Sequence, residues 1–257
     1  TSTCPITEVA NLTKSAVEHL AVDGLSVGVR PRTGTGFRGT NGAGKSTTMR
    51  MMAGLDEPTS GSARVNGGTY RSASAPMAEL GVLLEANAVH TGRSARNHLT
   101  ALAQTNGIGR ARVDEVIDMV GLQDVAGKRV GGFSLGMGQR LGVAAALLGN
   151  PETVVLDEPV NGLDPEGVLW IRNMLKDLAA AGHTVFVSSH LMSEMAMTAS
   201  RLVVVGRGRL IADTTVDEVV ARASGGSVTV RTPEAAQLRN LLVGSDLGPD
   251  VTVTSEH

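Results

Sequence analysis

The segment GTNGAGKST at residues 39–47 constrains this chain more than any other. It fits the pattern G-x-x-x-x-G-K-[ST], with a strand-like TGTGF before it and a helix-like STTMRMMAGL after it. Glycines let successive backbone N–H groups turn inward around a phosphate, and a helix start adds partial positive charge. The candidate phosphate-binding residues are therefore Gly39, Thr40, Asn41, Gly42, Ala43, Gly44, Lys45, Ser46, Thr47 and Thr48. Lys45 is placed to reach β- and γ-phosphates, and Ser46 to offer a hydroxyl to Mg2+.

The surrounding pattern agrees with an α/β domain built on a largely parallel sheet. TVVLDEP at 153–159, TVFVSSH at 184–190 and RLVVVG at 201–206 read as apolar strands with abrupt polar ends. Between the first two, VLWIRNMLKDLAAAG at 168–182 sets Ile171, Leu175 and Leu178 at helical spacing, with Gly182 as a stop. The stretch of about 86–150 is more helical, and Val113, Val116, Ile117 and Val120 make one apolar face there. Ser134 stands where it can cap the helix that follows. After about residue 206 the chain reads as a small α+β tail.

Composition narrows the function. No run approaches 18 apolar residues, so no membrane-spanning helix is expected. The opening TSTCPITEVANLTK has no basic end followed by an apolar block, so no secretory leader is expected and the chain reads as soluble. One cysteine, Cys4, excludes a disulfide framework and a cysteine-based zinc site. A net charge of −2 argues against a nucleic-acid partner.

Further candidates lie at strand ends. Asp157 closes the VVLDEP strand where parallel sheets bind ligands, and can hold Mg2+ through water. Glu158 beside it is placed to polarise an attacking water. His190 also ends a strand; it can meet a γ-phosphate or serve only as a structural histidine.

Together with GGFSLGMGQR at 131–140, these residues make the chain resemble the ATPase subunits of ABC transporters. The resemblance is strongest to those serving separate ABC-2 type multidrug or antibiotic exporters. It runs over about residues 6–220 with five motifs in family order. It implies a P-loop NTPase, RecA-like core with an antiparallel β region and a helical subdomain inserted at about 86–150. The ATPase domain would be 1–220, and 221–257 a small α+β tail.

In such proteins the signature, here Ser134, Leu135, Gly136 and Met137, faces the phosphate loop of a second subunit. NGLDP at 161–165 matches the D-loop through Asp164, SSH at 188–190 the switch histidine, and Glu85 stands at the glutamine position that meets Mg2+. The resemblance thus implies MgATP hydrolysis by Lys45, Glu158 and His190, with Ser46, Glu85 and Asp157 toward the metal. It further implies a second ATPase subunit, identical or homologous, a separate ABC-2 type permease, and a peripheral position on the cytoplasmic face of the membrane.

Several residues depart from the family pattern. Ala16 falls near the place of an aromatic that stacks on adenine, with no aromatic anywhere in residues 1–36. Leu135 replaces a signature glycine, which restricts backbone approach to phosphate. Arg38 lies in a strand expected to be apolar and buried on both faces, where it reads as destabilising unless it reaches the sheet edge. Trp170 reads as packing. Three classes follow: an export ATPase, a hydrolysis-impaired nucleotide-binding partner, and a DNA-repair or chromosome ATPase. The 89 positions from Lys45 to Ser134 leave no room for the long coiled coil of the last.

Overall fold

Two sheets organise the residues that the computed structural model describes: 7–16, 19–85, 89–190 and 199–223, with Glu234 and Gln237. Readings that touch Cys4, the side chain of Ala16 and, apart from Glu234 and Gln237, the tail beyond 223 lie outside the described residues. The chain divides into two compact units, Thr1–Glu218 and Val219–His257.

Strands β1 (Thr7–Ala16) and β2 (His19–Val29) form an antiparallel pair. The chain then runs through β3 (Gly34–Arg38), the phosphate loop and helix α1 (Lys45–Met52), and returns as β4 (Ser60–Val65) to pair with β1. That three-stranded sheet has the order β2-β1-β4. A short helix α2 (Pro76–Glu79) leads into β5 (Leu80–Leu83).

Helices α3 (Ala95–Thr105), α4 (Arg110–Met119) and α5 (Leu135–Leu147) fill the segment that the sequence marks as helical. Val113, Val116, Ile117 and Val120 are all buried, as their spacing requires. Arg112 donates from Nη2 to the Leu147 carbonyl at 2.7 Å, and Arg140 from Nη1 to the Val120 carbonyl at 2.9 Å, tying α4 to α5. The Arg140 guanidinium also lies 4.1 Å from the ring centre of Trp170, which half-buries that ring as packing.

The main sheet is completed by β6 (Thr153–Leu156), helix α6 (Pro165–Ala180), β7 (Thr184–Ser189), β8 (Arg201–Gly206) and β9 (Arg209–Thr215), before α7 (Val216–Ala223). Its order is β5-β6-β7-β3-β8-β9, parallel except for β9. The four residues of β6 are buried without a break, as a strand covered on both faces must be. Phe37 of β3 and Phe186 of β7 pack with ring centres 5.1 Å apart inside the core.

Two expectations need correction, and the open reading of Arg38 is decided. The stretch after residue 206 does not begin a tail: β9 pairs antiparallel with β8 and ends the main sheet. Helix α6 starts at Pro165 rather than at 168, because Asp164 accepts from the Gly167 N–H at 2.8 Å and proline suits the first helical position. Arg38 is not sealed in the sheet. It is half-buried at the last position of β3 and opens onto a cavity of about 650 Å³ shared with Thr40, Asn41 and His190.

Candidate active site

The parallel order brings the carboxyl ends of β3, β7 and β6 side by side, and each delivers part of the site. From β3 the chain turns through the glycine loop into α1. Gly44, the residue before that helix, has φ +93°, and a Cβ there would sit 2.5 Å from the Ala21 carbonyl oxygen. Glycine is required at that point.

Lys45 opens α1 and is only 7% exposed. Its ammonium donates to the Gly39 carbonyl at 2.8 Å and lies 3.5 Å from Glu158 Oε1. Ser46 is exposed beside it. Thr48 differs from its sequence reading: it is buried, and its hydroxyl donates back to the Gly44 carbonyl at 2.8 Å. That hydroxyl braces the helix start rather than facing a phosphate.

Beyond β6, Asp157 and Glu158 leave the sheet in a sharp turn. The Asp157 N–H donates to the Leu83 carbonyl at 2.7 Å, and its carboxylate accepts from the Ser188 hydroxyl. Glu158 has φ +47°, a left-handed conformation that costs a non-glycine residue about 1–3 kcal/mol unless its surroundings impose it. The surroundings do. Its N–H donates to Ser188 Oγ at 2.8 Å, and its carbonyl lies 3.4 Å from Gln139 Nε2. Its carboxylate bridges two cationic or protonatable groups, Lys45 through Oε1 and His190 Nδ1 at 2.9 Å through Oε2. Lys45, Glu158 and His190, separate in sequence, are thus one connected group.

The other candidates fall elsewhere. Ser134 accepts from the Met137 N–H at 3.2 Å and caps α5, so Ser134, Leu135, Gly136 and Met137 form the start of that helix. Asp164 caps α6. Glu85 is exposed, and its charge is felt at Arg50 on α1, whose guanidinium is raised chiefly by its hydrogen bonds to Asp56. Among the described residues no group of three or more His, Cys, Asp or Glu could hold a metal. Ser46 and Asp157 are nevertheless hard oxygen donors of the kind Mg2+ takes when substrate phosphates and water complete its shell.

Sequence reasoning missed Ser188 and Gln139. The available signal at 188 was a small polar residue closing an otherwise apolar strand run beside the acids. Gln139 stands within the run GGFSLGMGQR, but helix α5 is read there by its cap and its apolar residues.

The family model for ABC transporters matches residues 22–161. The chain belongs to the ABC transporter family. It is an ATP-binding subunit of that family and an ATPase. This ABC subunit is 38% identical to the bacitracin transport ATP-binding protein of Bacillus licheniformis, over 84% of the chain and 72% of that protein. It is 36% identical to the daunorubicin resistance ATP-binding protein of Streptomyces coeruleorubidus, over 85% of the chain and 71% of the relative. Its fold is that of a bacterial ABC transporter cassette solved as a dimer, with a TM-score of 0.75 at 22% identity, covering 82% of this chain and 98% of that one. A second solved ABC ATP-binding subunit gives 0.76 at 23% identity, over 93% and 99%. Among the described residues no helix of this ABC subunit is long and apolar enough to cross a membrane.

Proposed function

We propose that residues 1–220 form the ATPase domain of an export system, with Lys45, Glu158 and His190 as its hydrolytic centre. The connected group they form carries the reading. The Lys45 ammonium neutralises charge on the β- and γ-phosphates, and loop amides cradle them. The Glu158 carboxylate accepts a proton from the attacking water or orients it, and His190 holds that carboxylate on one side while meeting the γ-phosphate on the other. Ser46, Asp157 and Glu85 would hold Mg2+, which would supply charge neutralisation at the phosphates. These groups act by position and electrostatics, as phosphoryl transfer demands.

The signature at Ser134–Met137 would complete the site of a second subunit, so the working unit is a dimer of two copies or of homologues. Asp164 would lie at the joint. The relatives named for bacitracin transport and daunorubicin resistance support export of drugs or antibiotics. The subunit would then sit on the cytoplasmic face of the membrane against a separate ABC-2 type permease.

MgATP turnover of the purified chain, measured beside Glu158→Gln with size exclusion with and without ATP, tests this. Turnover lost in the variant, together with an ATP-dependent dimer, supports the reading. A wild-type chain that binds ATP without turnover or dimerisation supports instead a partner subunit impaired in hydrolysis.

A further inference from the structure

The strained backbone of Glu158 is tied on both sides by residues that the hydrolytic reading does not use. Ser188 is fully buried on β7, opposite Phe37 of β3, so the strand fixes its hydroxyl. That hydroxyl accepts from the Glu158 N–H at 2.8 Å and spends its one proton on Asp157. On the far side, Gln139 is 6% exposed, with Nε2 3.2 Å from the Pro159 carbonyl and 3.4 Å from that of Glu158. Two carbonyls facing one amide end dictate that the end is the NH2.

The Gln139 Oε1 is buried with no hydrogen-bond partner among the described residues, a desolvation cost set against the two carbonyls served by its NH2 end. That end holds the peptide following Glu158, while Ser188 holds the peptide preceding it.

We propose that Ser188 and Gln139 are positioning residues for ATP hydrolysis: together they clamp Glu158 in its left-handed conformation and so aim its carboxylate. The inference rests on the role proposed above for Glu158. Release of either tie lets the backbone relax toward ordinary φ, and the carboxylate swings off the line between Lys45 and His190. Because Gln139 lies on α5, five positions after Ser134, the helix that carries the signature also carries one jaw of the clamp.

The test is MgATP turnover and binding of a fluorescent ATP analogue by Ser188→Ala, Ser188→Thr and Gln139→Leu, with Glu158→Gln in the same series. The clamp requires Ser188→Ala and Gln139→Leu to lower kcat by about tenfold to a hundredfold while nucleotide affinity stays within about threefold. Ser188→Thr keeps the hydroxyl and so retains most of the turnover. Adding Ser188→Ala to Glu158→Gln lowers the residual rate by less than about twofold, because the clamp has nothing left to aim. Wild-type kcat in Ser188→Ala overturns the clamp, as does a fall in kcat matched by an equal loss of affinity and of melting temperature. Should Ser188→Ala not fold, Gln139→Leu carries the same criterion from the other side of the turn. Wild-type turnover in Glu158→Gln overturns the role of Glu158 itself, a result distinct from failure of the clamp.

Discussion

The Leu135 side chain lies directly on the backbone of Gly162, so a Cβ at 162 would overlap it. Leu135 is the first residue of α5, and Gly162, at φ +74°, lies in the loop before α6. The leucine side chain is thus turned onto that loop, and a glycine beneath it makes room. Gly162→Ala is expected to add a left-handed strain of about 1 kcal/mol and an overlap of about 1–3 kcal/mol. Turnover should fall by about tenfold if that loop shifts. Leu135→Gly in the same chain removes the overlap and should recover most of the loss; paired ATPase assays read the difference.

Arg140 joins three elements, through the Val120 carbonyl at the end of α4, its own helix α5 and the face of Trp170 on α6. Arg140→Ala should lose roughly 1–3 kcal/mol, the sum of a cation–π contact and a charged hydrogen bond. Trp170 is the only tryptophan in the chain, so its emission reports the contact. A urea titration followed at that emission should show both an earlier midpoint and a red-shifted native signal.

His98 on α3 contributes to the pH dependence of stability. Burial, with a smaller contribution from Arg93, holds its imidazole below the ordinary 6.5. The unfolded chain therefore takes up this proton at a higher pH than the folded one. Stability from the neutral ring is intact above 6.5 and declines as pH falls below it. His98→Gln should lose less melting temperature than the wild type between about pH 7.5 and 5.5, by about 1–4 °C. Equal losses would assign the acid sensitivity to other groups.

Arg38→Leu is expected to leave the melting temperature unchanged or lower. The sequence alone suggests a rise, since a charge is being taken out of a buried strand. In the fold the side chain occupies the strand's open end and keeps an interaction partner, so there is no buried unpaired charge to relieve.

What the sequence shows and what it hides divide by the range of the interactions. The phosphate loop, the acids that end β6 and the cap at Ser134 are local devices, complete within a few residues, and are legible in the sequence. Strand β9 reads as part of a tail because its run RLIADTT lacks the alternation of a half-buried strand; in the fold Arg209, Leu210 and Ile211 are all exposed on the sheet edge. The clamp at Glu158 joins residues 19 and 30 positions apart, and nothing in either segment announces the other. Leu135 could be seen as a departure, but the glycine that accommodates it lies 27 positions further on, across the sheet strand β6.

The position of β3 has a consequence for the order in which the chain is made. This strand, at 34–38, has both of its neighbours far downstream, β7 at 184–189 and β8 at 201–206. During synthesis it emerges with two bare hydrogen-bonding edges and waits through some 150 residues for the first right partner. A smooth β-branched strand in that position would be a template for any other chain on the ribosome. Gly34, Gly36 and Arg38 make it a poor one, because glycine weakens isolated strand structure and a terminal charge discourages stacking. Residues that look like faults in the finished sheet act as gatekeepers while it is still being assembled.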